Sequence, residues 1–269
     1  PNGKRIMVDC GCRADPGWFP SVTFASQFID LLVFSNLDED HVNDLPYIWR
    51  DVRLGSIFSN PSVTAQALAA MKDEHGMGHG IRHAHAILEH YGPGLIGQPA
   101  DIGSVNARAY WNRYDVDFTD TNNLSLAVFV RYGAFTILFA GDLETAGWKS
   151  LLRSPYFQND LASVNLLVAS HHGRKNGQCE DAFKIFQPDA VVFSDDRRQY
   201  DSQNTDAWYR SRTKGIIDQT SASKILLGHR KRHVLTTRRD GSLQINVSYD
   251  GQFFVTPERA IPNTPLVGL

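Results

Sequence analysis

Short β-rich runs that stop abruptly on polar or charged residues recur along this chain, and they restrict its fold more than any other feature. "RIMVDCG", "DLLVFS", "SLAVFVRYG", "FTILFAGD", "VNLLVASHH", "DAVVFSDD" and "SLQINVSYDGQFFV" each stand between turn or helix signals. Several present polar residues at the strand tip, where α/β folds place their chemistry because a rigid sheet holds the loops there. Helical patterns fall at Ala65 to Lys72, Arg82 to His90 and Thr145 to Leu152, the last following the acidic "GDLE". "RYGAF" and "SYDGQF" have the composition of hairpin turns. No internal repeat, low-complexity tract or linker interrupts the pattern. It implies one α/β domain over residues 1–269 with an insertion at about 58–115.

Composition narrows the class. With 269 residues, 42% of them hydrophobic and 21% charged, the chain can bury one large core or two small ones and reads as globular. A net charge of −2 supplies no global basic field, so nucleic-acid contact would have to come from a local patch. Three cysteines, Cys10, Cys12 and Cys179, cannot all pair, which fits a reducing compartment better than a secreted disulfide scaffold. The longest apolar runs fall far short of the ~20 residues of a membrane helix, so no membrane span is expected and a cytoplasmic location is. The chain begins at Pro1 rather than Met, and residues upstream of it are expected.

The polar tips collect into a constellation. "NLDEDH" supplies Asp38, Asp40 and His41, "AGDLE" supplies Asp142, and "ASHHG" supplies His171 and His172. Carboxylates and imidazoles converging at the ends of buried strands suit a divalent metal, because the ion's charge offsets the cost of gathering several anions. Taken singly, an Asp after a strand is as often a turn or helix cap, and a His-His pair is more often structural. The joint occurrence of three such tips favours a site.

These motifs, in this order, resemble those of the metallo-β-lactamase-fold hydrolases, and within them the ComEC-type branch, named for the soluble domain of bacterial DNA-uptake channels. "PNGKRIMVDCG" resembles the family's early strand and turn, "IDLLVFSNLDEDH" its metal motif, and "NNLSLAVFVRYGAFTILFAGDLE" its paired strands and bridging Asp. "LLVASHHGRKNG", followed by "PDAVVFSDD", resembles its His-His-Gly segment, and "RHVLTTRRDGSLQIN" its closing hairpin. The resemblance implies an αββα sandwich with the metal site at one edge of two sheets. It places the family's His-x-His/Asp-x-Asp-His positions at Asn36, Asp38, Asp40 and His41. It departs from the family at Asn36, an amide where a histidine is usual, at "NNLS" with Asn123 and Ser125, and at "QYDSQN", Tyr200 to Asn204.

The residues then divide into a well-furnished half and a poor one. Asp40, His41, Asp142 and one of His171 or His172 would hold one ion with mixed nitrogen and oxygen donors, whereas Asp38, Asn36 and Asp142 offer a second ion only oxygens. His171 is the favoured ligand because it comes first after the strand, and the reverse assignment stays open. One or two ions are expected, Mn²⁺ or Zn²⁺, with Mg²⁺ a further candidate for the oxygen-rich pocket. Such an ion would activate a water, with Asp40 holding it and His172 stabilising charge. Asn36, Arg174 and Lys175 would face a substrate phosphate, since "HHGRK" is locally cationic.

The function expected is a phosphodiesterase or nuclease acting on DNA, RNA or a nucleotide. "DDRRQY" with Arg197 and Arg198, "GHRKRH" from Arg230 to His233, and "TDAWYRSR" could track a phosphate backbone, or could be ordinary solvated faces. The histidines of "DEHGMGHGIRHAHAILEHYG" stand four apart at His75, His79 and His83, but Gly76, Gly78 and Gly80 weaken a helix through them, so a mobile insertion over the site is expected rather than a second metal site. The alternative function is a degenerate fold that has become a binding or scaffold module with protein partners in a larger assembly. A lactamase or thioester hydrolase fits the basic "HHGRK" less well.

Overall fold

In a computed structural model that describes residues 2–13, 17–74, 76–195, 201–217 and 231–258, strands and helices alternate through most of the chain. Ile6–Val8 (β1), Phe28–Val33 (β2) and Arg53–Phe58 (β3) run parallel, and Leu95–Gly97 (β4) adds antiparallel to β3. A second sheet is built from Val105–Tyr110 (β5), Ala127–Tyr132 (β6), Phe135–Phe139 (β7), Leu166–Val168 (β8), Ala190–Phe193 (β9) and Val234–Thr236 (β10). They lie in the order β10-β9-β8-β7-β6-β5, with β7 to β10 parallel and β5 and β6 antiparallel. Leu243–Val247 (β11) and Phe253–Pro257 (β12) form a separate hairpin. The described helices are Pro20–Thr23 (α1), Glu39–Val42 (α2), Leu45–Asp51 (α3), Ala65–Met71 (α4), His79–Tyr91 (α5), Thr145–Leu151 (α6), Pro155–Leu161 (α7), Glu180–Phe183 (α8), Asp206–Arg210 (α9) and Thr237–Asp240 (α10).

The central strands β2, β6, β8 and β9 are largely apolar on both sides because both sides are buried. In β2, Leu32 lies in a core with Leu45 and Ile48 of α3, Leu68 of α4 and Ile87 and Leu88 of α5. Its neighbours Leu31 and Val33 fall in another cluster with Val128 and Phe139 of the second sheet and with Leu126 just before β6. The second sheet repeats the division. Leu138, Leu167 and Val191 pack with Trp148 of α6 and Phe157 of α7, whereas Phe135, Leu166 and Val192 pack with the β11–β12 hairpin. No helix among the described residues is long and apolar enough to cross a membrane.

The segment 58–115 is woven into both sheets rather than laid over a site. It supplies β4 to the first sheet and β5 to the second, and α4 and α5 carry Leu68, Ile81, Ala84, Ile87 and Leu88 into the first core. β3, β4 and β5 escape the sequence pattern because "RLGSIF", "LIG" and "VNARAY" are short, glycine-containing or polar, and gain their pairing from neighbours distant in the chain. The closing hairpin also differs from expectation: β10 pairs in parallel with β9, α10 intervenes, and the hairpin joins β11 to β12 through the turn of "SYDGQF".

Gly78 and Gly80 of "GMGHG" have a packing reason. Gly78 caps α5, and the Glu39 carboxylate of α2 accepts the backbone N–H groups of Gly80 at 2.9 Å and Ile81 at 3.1 Å. An anion there satisfies amides the first helical turn leaves without partners. A Cβ at Gly80 would come within 2.2 Å of the Val42 carbonyl oxygen. Replacing Gly80 by Ala is therefore expected to destabilise the protein by about 1–3 kcal/mol. Glu39→Ala is expected to cost about 1 kcal/mol through the lost cap. Denaturant midpoints at unchanged m-value measure both, and a wild-type midpoint for Gly80→Ala would contradict this packing.

Candidate functional site

The C-terminal ends of β1, β2, β7, β8 and β9 deliver polar residues to one place. Asp9 follows β1 with a left-handed backbone, φ 63°, and its carboxylate accepts both the N–H of Ser35 (2.6 Å) and its hydroxyl (2.5 Å). Ser35 follows β2, and its carbonyl accepts the Leu126 N–H at 2.7 Å, so one serine ties the two sheets together beside the site. Asp9 Oδ2 also lies 2.8 Å from His41 Nδ1. The opposite nitrogen, His41 Nε2, faces Asp142 Oδ1 at 3.1 Å.

A second imidazole is held the same way. His172 Nδ1 donates to the Ser194 carbonyl beyond β9 at 2.7 Å, leaving Nε2 at 3.1 Å from Asp40 Oδ2 and 3.6 Å from Asp142 Oδ1. The backbone is strained to do this: His171 and His172 have φ of 49° and 54°. Non-glycine residues adopt that region at a cost on the order of 1 kcal/mol each. Gly173 follows at φ 78°, and a Cβ on it would strike the Phe193 ring at 2.7 Å.

His41 Nε2, His172 Nε2 and Asp142 Oδ1 are buried, and none meets hydrogen-bond geometry with a neighbour. Burial disfavours the charged form of His41, but the carboxylates of Asp142 and Asp9 outweigh it and raise its pKa well above 6.5. For His172 burial is likewise outweighed, by Asp40 and Asp142, and its pKa is raised. Asp142, only 4% exposed, is held below the usual carboxylate range because His41, His172 and His171 outweigh its burial. Asp40 lies far below that range, its burial outweighed by His172 and His41. Asp40, His41 and His172 form the one close group of His, Cys, Asp and Glu donors among the described residues.

The remaining expected residues are placed differently. His171 turns its Nε2 to Arg174, 3.2 Å away, and lies 4.0 Å from Asp142, so His172 rather than His171 faces the convergence point. Burial, together with Arg174, lowers the pKa of His171. Asp38 is ion-paired to Lys72. Asn36 is buried and bonded to Ser125, and Lys175 is exposed on the turn after the His pair. Asn123 accepts the N–H groups of Glu144 and Gly147 and so supports the start of α6.

Among the described residues of the distant basic stretches, the side chains of Arg212 and Arg232 are engaged away from this site. Arg197, Arg198 and Arg230 lie outside the described residues, as does Tyr200. Arg232 pairs with buried Asp240 at 2.6 Å, and Tyr209 and Trp208 pack into the second core, with Arg212 over the Trp208 ring and bonded to Glu180. His75 is also outside the described residues, and the rings of His79 and His83 pack at an angle against Tyr47 and Trp49.

Asp9, Lys72 and the Ser194 carbonyl were not foreseen. Asp9 carries the same signal as the others, an acid at the tip of "RIMVD", but stands alone there. A lysine from α4 and a backbone carbonyl leave no sequence signal. Neither protein-family models nor curated proteins match this chain.

Asp9→Asn is expected to lower the pKa of His41, read by NMR titration of its ring. The stabilisation from charged His41 is complete below its unfolded value near 6.5 and fades as pH rises through the higher folded value. The variant's stability deficit should therefore be largest at acid pH and shrink upward. A deficit that grows with pH would contradict the pairing.

Proposed function

We propose that this chain is a metal-dependent hydrolase of phosphodiesters, a nuclease or nucleotide phosphodiesterase, on an αββα sandwich of the metallo-β-lactamase type. The observation that carries the reading is the convergence of His41 Nε2, His172 Nε2 and Asp142 Oδ1, buried and without hydrogen-bond partners, beside Asp40 Oδ2. Both imidazoles are fixed through Nδ1, by Asp9 and by the Ser194 carbonyl, the arrangement that orients metal-ligating histidines. Two nitrogen and two oxygen donors suit Zn²⁺ or Mn²⁺ better than Mg²⁺, which favours oxygen.

Asp40, His41, Asp142 and His172 would hold a divalent ion, which would supply ionisation of a water near neutral pH and charge neutralisation at the phosphoryl oxygens. The chain's own groups do the rest. Asp40, whose side chain is 60% exposed, stands at the mouth of the site, where its second oxygen can orient the attacking water by accepting a hydrogen bond from it. Arg174 and Lys175, one glycine beyond the His pair, counter the phosphate's charge from the rim. Packing of β2, β6 and β7 beneath the site excludes water from Asp142.

One observation favours the second reading, a binding module derived from such an enzyme: Asn36 and Asp38 are committed to protein partners. Metal retention separates the two. After equilibration with Mn²⁺ or Zn²⁺ and removal of excess, the folded wild-type protein is expected to retain metal by elemental analysis. Asp142→Ala and His172→Ala are expected to lose it together with hydrolysis of a generic phosphodiester, by more than 100-fold, while His171→Ala keeps the metal. A folded wild-type protein that retains none would favour the binding module.

A further inference from the structure

In the poorer half of the site Asn36, Ser125 and one oxygen of Asp38 are already engaged by the protein. Asn36 Oδ1 accepts the Asp38 N–H at 2.7 Å, and its Nδ2 donates to Ser125 Oγ at 3.0 Å. Ser125 Oγ also accepts the Asp142 N–H at 2.9 Å, so Asn36 and Ser125 form a bridge between the backbone before α2 and the backbone after β7. Asp38 Oδ1 receives the Lys72 ammonium, which also donates to Thr121 Oγ1 at 3.3 Å. Lys72 sits at the C-terminal cap of α4, and its side chain is only 13% exposed.

We propose that the Lys72 ammonium takes the place of a second metal ion, so that the centre holds one divalent cation at Asp40, His41, Asp142 and His172 and carries its second positive charge on the protein. The inference rests on the metal-centre reading above. A second divalent ion needs carboxylate, carbonyl or imidazole donors that are free to turn toward it. Here the Asn36 carbonyl is turned to backbone, the Ser125 hydroxyl is shared between two donors, and the Asp38 carboxylate is neutralised by an ammonium that would repel an incoming cation. Two of the three ammonium hydrogens are engaged, which leaves a third for a substrate oxygen. Lysine binds phosphate in this way as a point charge. In this arrangement a charge encoded in the chain stands where a second ion would have to be acquired from solution.

The test is the stoichiometry of Mn²⁺ and of Zn²⁺ on the full chain, by calorimetric titration of metal-free protein and by elemental analysis. One ion per chain is expected, kept in Asp38→Asn and lost in Asp142→Ala. Two ions on the wild-type protein would overturn the Lys72 inference and leave the metal-centre reading standing, whereas no ion would overturn both. Loss of the single ion in Asp38→Asn would also overturn the inference, because Asp38 would then be its ligand. A second arm uses inorganic phosphate as the probe on the metal-loaded protein. Lys72→Met, checked for wild-type melting, is expected to weaken phosphate binding about tenfold or more with the metal count unchanged. Undiminished phosphate binding in that variant would overturn it.

Discussion

Everything at the candidate site depends on burying the Asp142 carboxylate. At 4% exposure an unpaired carboxylate would be expensive, and the surrounding structure consists of the means of compensating it. His41 and His172 bring imidazole nitrogens to within 3.1 and 3.6 Å of one oxygen, and each imidazole is anchored on its far side. The anchors come from both sheets: Asp9 after β1 holds His41, and the Ser194 carbonyl after β9 holds His172. Because Ser35 bonds Asp9 on one side and Leu126 on the other, the electrostatics of the site and the junction of the sheets are a single construction. Left-handed backbone at Asp9, His171 and His172 is tolerated where this construction over-determines it.

The acidic tip after β2 divides its charges among different tasks. Glu39 caps α5 through the Gly80 and Ile81 amides, Asp38 holds Lys72, and Asp40 and His41 face the convergence point. A helix of only four residues carries three of these side chains, so their directions are fixed by one turn of backbone. The insertion-like segment 58–115 is drawn into the site's support by the same contacts, since α4 supplies Lys72 and α5 receives Glu39.

Much of this was legible in the chain. The runs at β1, β2, β6 to β9, β11 and β12, the hairpin turns at "RYGAF" and "SYDGQF", and helices near α4, α5 and α6 all follow from local pattern. Asp40, His41, Asp142 and His172 were recognisable as acids and imidazoles closing apolar runs. The strands β3, β4 and β5 were not, because their pairing compensates for weak local preference. The choice between His171 and His172 was not legible either: adjacent residues share one sequence signal, and only the position of the Ser194 carbonyl decides which ring turns inward.

The amino-acid sequence by itself determined the alternation of buried strand and helix and the chemical types gathered at the strand tips, because both are set by periodicity and side-chain chemistry over a few residues. Tertiary structure alone decided which nitrogen of each histidine is free, that Asp38 meets Lys72, and that Arg232 and Tyr209 turn inward instead of offering a basic, aromatic face. Those outcomes depend on partners 8 to 34 residues away or on packing into a shared core, and such contacts exist only once the sheets have closed on one another.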